Sequence, residues 1–274
     1  MLWIKNEENK MGNTKELLEV SVQSRIESAS PPPSQSANTL LRFFTKPEYL
    51  FGTIENHALI PRYYGENVDY LDIWHHQIYY PMICFCDITI HRLSEHLKVY
   101  GQYGIAFSKA WGIENGIQPL QYVNAKSALC SDFSKAFISA INNEADTAEA
   151  NFLLTQMYYM KPIEGNMSRD GKDIFKNFTD ECEWRFIPPV ATIDLPQVVS
   201  EDDAASIGKL NDTIFDHDSC WLKFDYSDVK YIIIPDESEL PAVCDVIEHS
   251  VSDKEIQRKL ISKIILWSDA KEDF

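Results

Sequence analysis

Residues 79–88 have the sequence YYPMICFCDI, in which apolar side chains predominate. A short apolar run of this kind predicts a buried strand. The segment that follows, ITIHRLSEHLKVYG at residues 88–101, carries apolar residues at helical spacing and ends in a glycine. We therefore expect an amphipathic helix that closes at Gly101.

Outward from this strand and helix, further elements alternate without a regular β-α-β rhythm. TLLRFF at residues 39–44 predicts a strand, and the Thr-Lys-Pro sequence after it predicts a helix from Thr45 to about His57. Residues 125–160 carry apolar positions three and four apart and predict a helical hairpin. The acidic stretch at residues 194–220 has few apolar residues and predicts a long loop.

The C-terminal part reads as strand, strand, helix, helix and strand, from WLKFDY at residues 221–226 to KIILWSD at residues 263–269. Strands therefore lie near other strands as well as near helices. This order favours an α+β fold with a largely antiparallel sheet, flanking helices and a helical hairpin.

One stretch near the N-terminus predicts a domain boundary. Residues 27–38, ESASPPPSQSAN, contain three consecutive prolines among small and polar residues, which is typical of a linker. Before it, Lys15 to Val22 could form a short helix. We therefore divide the chain into an N-terminal tail and Pro/Ser-rich linker at residues 1–38, and a single α+β domain at residues 39–274.

The charge of the chain limits its partners. Among 274 residues there are 42 Asp and Glu against 25 Lys and Arg, a formal net charge of −17. Nucleic-acid phosphates and anionic membranes both require clustered basic residues, so we expect neither as a direct partner. From Asp194 to Glu255 there are 16 acidic and 4 basic residues, so we expect an acidic face that determines which protein binds.

Several features indicate a cytoplasmic protein. No run approaches 18 consecutive apolar residues, and the N-terminus carries charges where a signal peptide would be apolar. The six cysteines are scattered through apolar surroundings, as in a reducing compartment. Neither they nor the histidines have the spacing of a metal site, so we predict no bound metal.

The most distinctive polar pattern is FTDECEWRF at residues 178–186. If the segment is a strand, Glu181, Glu183 and Arg185 project from one face. The other face then carries Cys182, Trp184 and Phe186. Two carboxylates so placed could stabilise an oxocarbenium-like sugar carbon and position the attacking group, while Arg185 binds a phosphate or neutralises the pair. A solvated strand face with a charge-matched arginine is the alternative.

Two further groups are candidates for ligand binding. Arg42 is a lone charge in an apolar strand and needs an anionic partner, either a ligand diphosphate or one of the carboxylates Glu181 and Glu183. An aromatic set could stack on a nicotinamide or adenine ring, or could belong to the core. Its members are Tyr63, Tyr64, Tyr100, Tyr103 and Phe107. Glycine-rich nucleotide-binding motifs are absent from the sequence.

Three segments carry a resemblance to a known family: LLRFFTKPEYLFGTIENHALIPRYYGE, MICFCDITIHRLSEHLKVYGQYGIAFSKAWGIENGIQPLQYVN, and the downstream ECEWRF. The stretch from Leu41 to Asn124, with ECEWRF, resembles the AbiGi family of abortive phage-resistance proteins, described as the antitoxin of an abortive-infection pair. The resemblance implies a component of antiphage defence, an antitoxin or regulator that acts through a protein partner such as its cognate toxin.

A looser resemblance concerns the order of an arginine strand, a helix, an apolar strand and a late Glu-x-Glu strand, which is similar to ADP-ribosyltransferases. It implies that Glu183 is the catalytic glutamate, assisted by Glu181, and that Arg42 contacts the phosphates of NAD. The further substrate-binding residues would be Thr45, Tyr64, Tyr103 and Arg185. The alternative function is therefore an NAD-dependent ADP-ribosyltransferase or NAD-cleaving effector.

The chain departs from the transferase pattern at two places. PMICFCDIT at residues 81–89 lacks the Ser-Thr-Ser element of the middle strand, and Phe43-Phe44 replaces the histidine that related toxins carry in the first strand. These departures allow a fold that persists without the activity.

Overall fold

The computed structural model describes residues 37–142, 147–169 and 172–273. The predicted N-terminal helix and most of the predicted linker lie outside the described residues, and the division into two parts stays a prediction. In the described part, the strands are β1 (Thr39–Phe44), β2 (Ala58–Leu59), β3 (Arg62–Asn67), β4 (Gln77–Cys86), β5 (Tyr103–Ser108), β6 (Gln118–Pro119), β7 (Gln121–Val123), β8 (Met160–Pro162), β9 (Glu164–Arg169), β10 (Lys172–Asn177), β11 (Glu183–Phe186), β12 (Val199–Ser200), β13 (Leu222–Lys223), β14 (Val229–Ile234) and β15 (Ile264–Leu266).

Helices alternate with these strands along the chain. They are α1 (Pro47–Asn56), α2 (Leu93–Tyr100), α3 (Lys109–Glu114), α4 (Ala128–Asn142), α5 (Ala148–Tyr158), α6 (Ile207–Phe215), α7 (Leu240–Ser250), α8 (Lys254–Ile261) and α9 (Trp267–Ala270). Short 3-10 helices include Asp69–Leu71, Phe178–Glu181 and Glu201–Ser206. Helices α4 and α5 pack against each other, which confirms the predicted hairpin.

The main sheet has the strand order β15-β14-β5-β1-β4-β11-β6, and β3 and β12 also pair with β4. Its ladders are antiparallel except for the parallel pair β14–β15. The predicted α+β class with a largely antiparallel sheet is therefore confirmed.

Strand β4 joins two parts of this sheet. Its first half pairs with β3 from Gln77 to Met82, and its second half pairs with β11 from Ile83 to Cys86. The change of partner falls between Met82 and Ile83. This strand, which contains the apolar run YYPMICFC, thus carries two strands of the site described below, β3 and β11.

Strand β1 is apolar on both sides because helices cover both faces of the sheet. Leu40 and Phe44 pack in a core that includes residues of α1, α3, α7 and α8. Leu41 and Phe43 point the other way and pack with residues of α2. Arg42 is the charged residue of this strand.

Two further cores lie beside the first half of β4. Tyr80 and Met82 pack against residues of α4 and α5. Tyr63 and Tyr79 pack instead with Ile214 of α6. The charged site described below lies next to the first of these two cores, because Tyr80 contributes to both.

The structure corrects three predictions about the elements. Helix α1 begins at Pro47 with Lys46 as its N-cap, and Thr45 is exposed before it without capping the helix. The prediction of a long loop at residues 194–220 is wrong, because this stretch contains a 3-10 helix and α6. Leu210 and Ile214 give α6 an apolar side, and so short a helix needs only a few such residues. WLKFDY forms only the two-residue strand β13.

The hairpin of β9 and β10 was not predicted from the sequence. The polar stretch before FTDECEWRF folds into the hairpin of β9 and β10, with Ile174 opposite Met167. Among the described residues, no helix has the length and apolar character needed to cross a membrane.

Candidate functional site

The segment FTDECEWRF is not one continuous strand. The side chain of Asn177 accepts hydrogen bonds from the backbone N–H of Thr179 at 3.1 Å and from its hydroxyl at 2.7 Å, which opens the 3-10 helix that contains Glu181. Cys182 then has φ of +44°, in the left-handed region, and β11 begins at Glu183. The prediction of a strand face that includes Glu181 is therefore wrong.

The left-handed Cys182 also separates the apolar residues of this segment. Cys182 packs with the core beside α2, whereas Trp184 and Phe186 pack with the core beside α1. The prediction that these three side chains share a face is wrong, because the turn at Cys182 breaks the strand alternation on which it depends.

Glu183 and Arg185 do share a face of β11. The Nε–H of Arg185 donates to Oε1 of Glu183 at 2.6 Å. Strand β11 pairs with β4 at both positions, with Glu183 opposite Cys86 and Arg185 opposite Cys84. The predicted neutralisation of a carboxylate by Arg185 is present.

Lysines from two other strands bring Glu181 back to Glu183. Lys161 on β8 donates to Oε2 of Glu181 at 3.0 Å and to Oε2 of Glu183 at 2.8 Å. Lys176 on β10 lies 2.8 Å from Oε1 of Glu181, to which the hydroxyl of Tyr100 also donates. The two carboxylates therefore meet through shared cations rather than through a common strand.

Arg185 extends the same network to β3 and β4. Its Nη2 lies 3.0 Å from Oε1 of Glu66, and its Nη1 donates to the hydroxyl of Tyr80 and to the carbonyl of Tyr158, the latter at 2.9 Å. We call the set of three cations and three carboxylates the buried charge cluster. It consists of Lys161, Lys176, Arg185, Glu66, Glu181 and Glu183.

The centre of the buried charge cluster is closed to solvent. Glu181 is 3% exposed, Glu183 is 5% exposed and Arg185 is 0% exposed. Each carboxylate oxygen of Glu181 and of Glu183 has at least one cationic partner. The alternative of a solvated strand face is therefore wrong.

Electrostatic coupling keeps these groups charged. Burial by itself would raise the pKa of Glu183, but the charges of Arg185 and Lys161 outweigh it and hold that pKa well below its usual range. Burial would likewise lower the pKa of Lys161, yet the surrounding glutamates, with Glu183 first, raise it well above its ordinary value. The arrangement therefore favours ionised groups locked in pairs over a carboxylate that exchanges protons near neutral pH.

Arg42 is separate from the buried charge cluster. Its Nη1 donates to the carbonyl of Cys84 at 3.2 Å, and its Nη2 donates to the hydroxyl of Tyr64 at 3.1 Å. The guanidinium also lies 5.7 Å from the ring centre of Phe44 and 5.9 Å from that of Tyr64. Among the described residues Arg42 makes no ion pair with Glu181 or Glu183, so the structural pairing foreseen for it is wrong.

The other residues foreseen as substrate contacts are dispersed. Tyr64 is 38% exposed beside Arg42, and Thr45 is exposed at the end of β1. Tyr103 is buried at the start of β5, where burial and a hydrogen bond to Glu239 raise its pKa to about 12. Of the aromatic set, Tyr63 and Phe107 belong to cores. The structure thus brings together Glu181, Glu183 and Arg185, and leaves Thr45, Tyr103 and the Arg42–Tyr64 pair outside.

Sequence reasoning missed Lys161, Lys176 and Glu66. Lys161 stands in the apolar stretch MYYMKPI, and an isolated lysine in such surroundings needs a carboxylate partner, which could have identified it. The β9–β10 hairpin that carries Lys176 gave no comparable signal.

A metal centre and an open groove are two other kinds of ligand site to compare with the buried charge cluster. Among the described residues, no three His, Cys, Asp or Glu side chains lie together as a metal site would require. An open groove of about 380 Å³ lies beside β6 and α5, and its lining includes Gln118, Phe152 and Gln156 without any charged side chain. It is therefore no part of the buried charge cluster.

Comparison with known proteins identifies the family. A family model with the description "Putative abortive phage resistance protein AbiGi, antitoxin" matches residues 57–235. The "Abortive phage resistance protein AbiGi" of Lactococcus lactis subsp. cremoris is 34% identical over 248 residues, which cover 79% of this chain and 100% of that protein. No solved structure matches the chain, so the ADP-ribosyltransferase scaffold stays a prediction. The chain belongs to the AbiGi family of abortive phage resistance proteins.

Proposed function

We propose that the chain is the antitoxin, or a regulator, of an abortive phage-defence system and that it acts by binding a protein partner. The description of the family supports an antitoxin role. The net charge of −17 supports a partner with a basic surface, because opposite charges speed association and select the partner.

One observation carries the preference for binding over catalysis. The carboxylate oxygens of Glu181 and Glu183 are already held by Lys161, Lys176 and Arg185, in a site that is almost closed to solvent. A catalytic carboxylate must reach the reacting atoms, and here that would require breaking buried ion pairs. The contacts suit a cluster that fastens β3, β8, β10 and β11 to one another.

The enzymatic alternative stays a prediction. It requires Arg42 to bind the NAD phosphates beside Glu183, with NAD as cofactor. Arg42 instead donates to Cys84 and Tyr64. No contact of the described residues favours NAD turnover.

Growth of bacteria that co-express this chain with the product of the adjacent gene tests the proposal. We expect the adjacent product alone to arrest growth and the chain to relieve the arrest. The purified chain incubated with NAD serves as the second arm, and we expect no release of nicotinamide. NAD turnover, combined with failure to relieve the arrest, would contradict the binding function and favour the transferase.

A further inference from the structure

Two large aromatic side chains are exposed, one in the acidic stretch and one in a loop that contacts the start of residues 201–216. Phe215 ends helix α6 and is 56% exposed. Trp74 lies in the loop before β4 and is also 56% exposed. Single exposed apolar side chains are common on folded proteins, so their surroundings decide whether they mark an interaction site.

Glu201 holds the loop that carries Trp74. Its Oε1 accepts a hydrogen bond from the backbone N–H of His76 at 3.1 Å and lies 3.8 Å from Nδ1 of His75. Glu201 begins the 3-10 helix that leads directly into α6. The Trp74 loop is thus attached to one end of an acidic segment, and Phe215 lies at the other end.

Carboxylates predominate on the outer side of this segment, which also carries the exposed Lys209. Asp202, Asp203, Asp212 and Asp216 are exposed, and none of them forms an ion pair with a described lysine or arginine. Nearby Asp218 differs, because it pairs with Lys223 at 2.7 Å. The four unpaired carboxylates leave their charge available to cations of a partner.

The inner side of α6 fixes the position of Phe215. Asn211 accepts a hydrogen bond from the backbone N–H of Tyr63 at 2.7 Å, and Ile214 is fully buried. The ring of Trp221 lies 5.9 Å from that of Phe215, and its Nε1–H donates to the carbonyl of Ile214 at 3.0 Å. A preorganised aromatic residue loses little conformational entropy on binding.

We propose that these residues form the docking surface for a partner protein that presents lysines and arginines around an apolar pocket. We call this the acidic aromatic surface, and it consists of Trp74, Asp202, Asp203, Asp212, Phe215 and Asp216. Phe215 and Trp74 anchor the partner, and the carboxylates steer and orient it. The inference rests on the proposed function, for which it names the contact surface and the chemistry of the partner.

Other exposed aromatic residues fit a basic partner less well. Phe152 is 64% exposed, but it lines the groove beside β6, which has no charged lining residue. A basic partner gains no electrostatic attraction from the lining of that groove. Phe152 therefore provides a matched control for Phe215.

Binding of the purified product of the adjacent gene to the purified chain tests the inference, by titration calorimetry at low and at physiological salt. We expect Phe215→Ser to weaken binding at least about tenfold, as for an interface anchor. The double variant Asp212→Asn/Asp216→Asn should weaken binding at low salt and reduce its salt dependence. Phe152→Ser, and the exposed α7 pair Asp245→Asn/Glu248→Gln, should bind like the wild type.

The outcomes distinguish a failure of the proposed surface from a failure of the proposed function. If the wild type binds and Phe215→Ser and the Asp212/Asp216 variant bind equally well, the acidic aromatic surface is overturned while the proposed function stands. If the wild type does not bind, the proposed function fails and the inference fails with it. Unchanged thermal unfolding of each variant verifies that a loss of binding does not come from a loss of fold.

Discussion

At the scale of single residues, the buried charge cluster pairs two carboxylates that the sequence presents as candidates for acid–base chemistry. Glu181 and Glu183 have the residue type and the proximity that acid–base chemistry needs. In the structure, Arg185 and Lys161 donate charge-assisted hydrogen bonds to these carboxylates away from water. Removal of one partner from such a buried set is strongly destabilising, because it leaves a buried charge uncompensated.

Replacement of Lys161 tests this balance. Lys161→Met leaves two buried carboxylates without their shared cation, so we expect the free energy of unfolding to fall by about 3–5 kcal/mol. Denaturant unfolding measures this change in the free energy of unfolding. Exposed Lys209→Met is the matched control and should change stability by less than about 0.5 kcal/mol. A loss at Lys161 no larger than at Lys209 would contradict the structural role of the cluster.

His96 gives a prediction about pH. It is buried on α2, and neither ring nitrogen makes a hydrogen bond among the described residues. Burial, and next the charge of Lys176, lower its pKa below the usual 6.5. As the pH falls, His96 of the unfolded chain therefore binds a proton at a higher pH than His96 of the folded chain. The free energy of unfolding should then fall as the pH drops below about 6.5.

The variant His96→Phe should remove this loss, because a phenyl ring fits beside Phe43 and Tyr100 and cannot titrate. Thermal unfolding between about pH 7 and pH 5 measures it, with exposed His249→Gln as control. If the stability of His96→Phe falls with pH as steeply as that of the wild type, the lowered pKa of His96 is contradicted.

Glu183 acts in a different pH range. Since its pKa is depressed, its contribution to stability is lost only as the pH falls below about 4.3.

At the scale of elements, short turns decide where the site residues lie. Gly101 ends α2 with φ of +120°, and a Cβ there would stand 2.1 Å from the carbonyl oxygen of Phe44. We expect Gly101→Ala to lower the free energy of unfolding by at least about 2 kcal/mol, through strain and a backbone clash.

Gly208 in α6 is the matched control, because nothing lies within 4 Å of a Cβ at that position. Gly208→Ala should raise stability by up to about 1 kcal/mol, since alanine favours a helix. Equilibrium unfolding of both variants checks the pair. Equal effects at the two glycines would contradict the close approach of α2 to β1.

The same scale separates what the sequence could predict from what it could not. Apolar periodicity identified β1, β4 and β14, because a buried strand leaves a run of apolar residues. It failed at Glu181, where the Asn177 cap and the left-handed Cys182 replace a strand by a 3-10 turn. It also missed the partners Lys161 and Lys176, because contacts between distant strands leave no local pattern.

At the scale of the whole molecule, the charge of −17 and the buried charge cluster are independent features. The cluster is internally balanced, with three cations and three carboxylates. The excess negative charge lies elsewhere, including the acidic aromatic surface. Charge thus stabilises the interior by pairing and remains unpaired on the outside, where a partner can meet it.

We propose that the molecule acts through its surface and not through Glu183. Growth rescue by Glu183→Gln, co-expressed with the product of the adjacent gene at a temperature where the variant is folded, tests it most directly. We predict that Glu183→Gln relieves growth arrest as the wild type does, whereas Phe215→Ser does not. A folded Glu183→Gln variant that fails to relieve the arrest, beside a Phe215→Ser variant that succeeds, would contradict it.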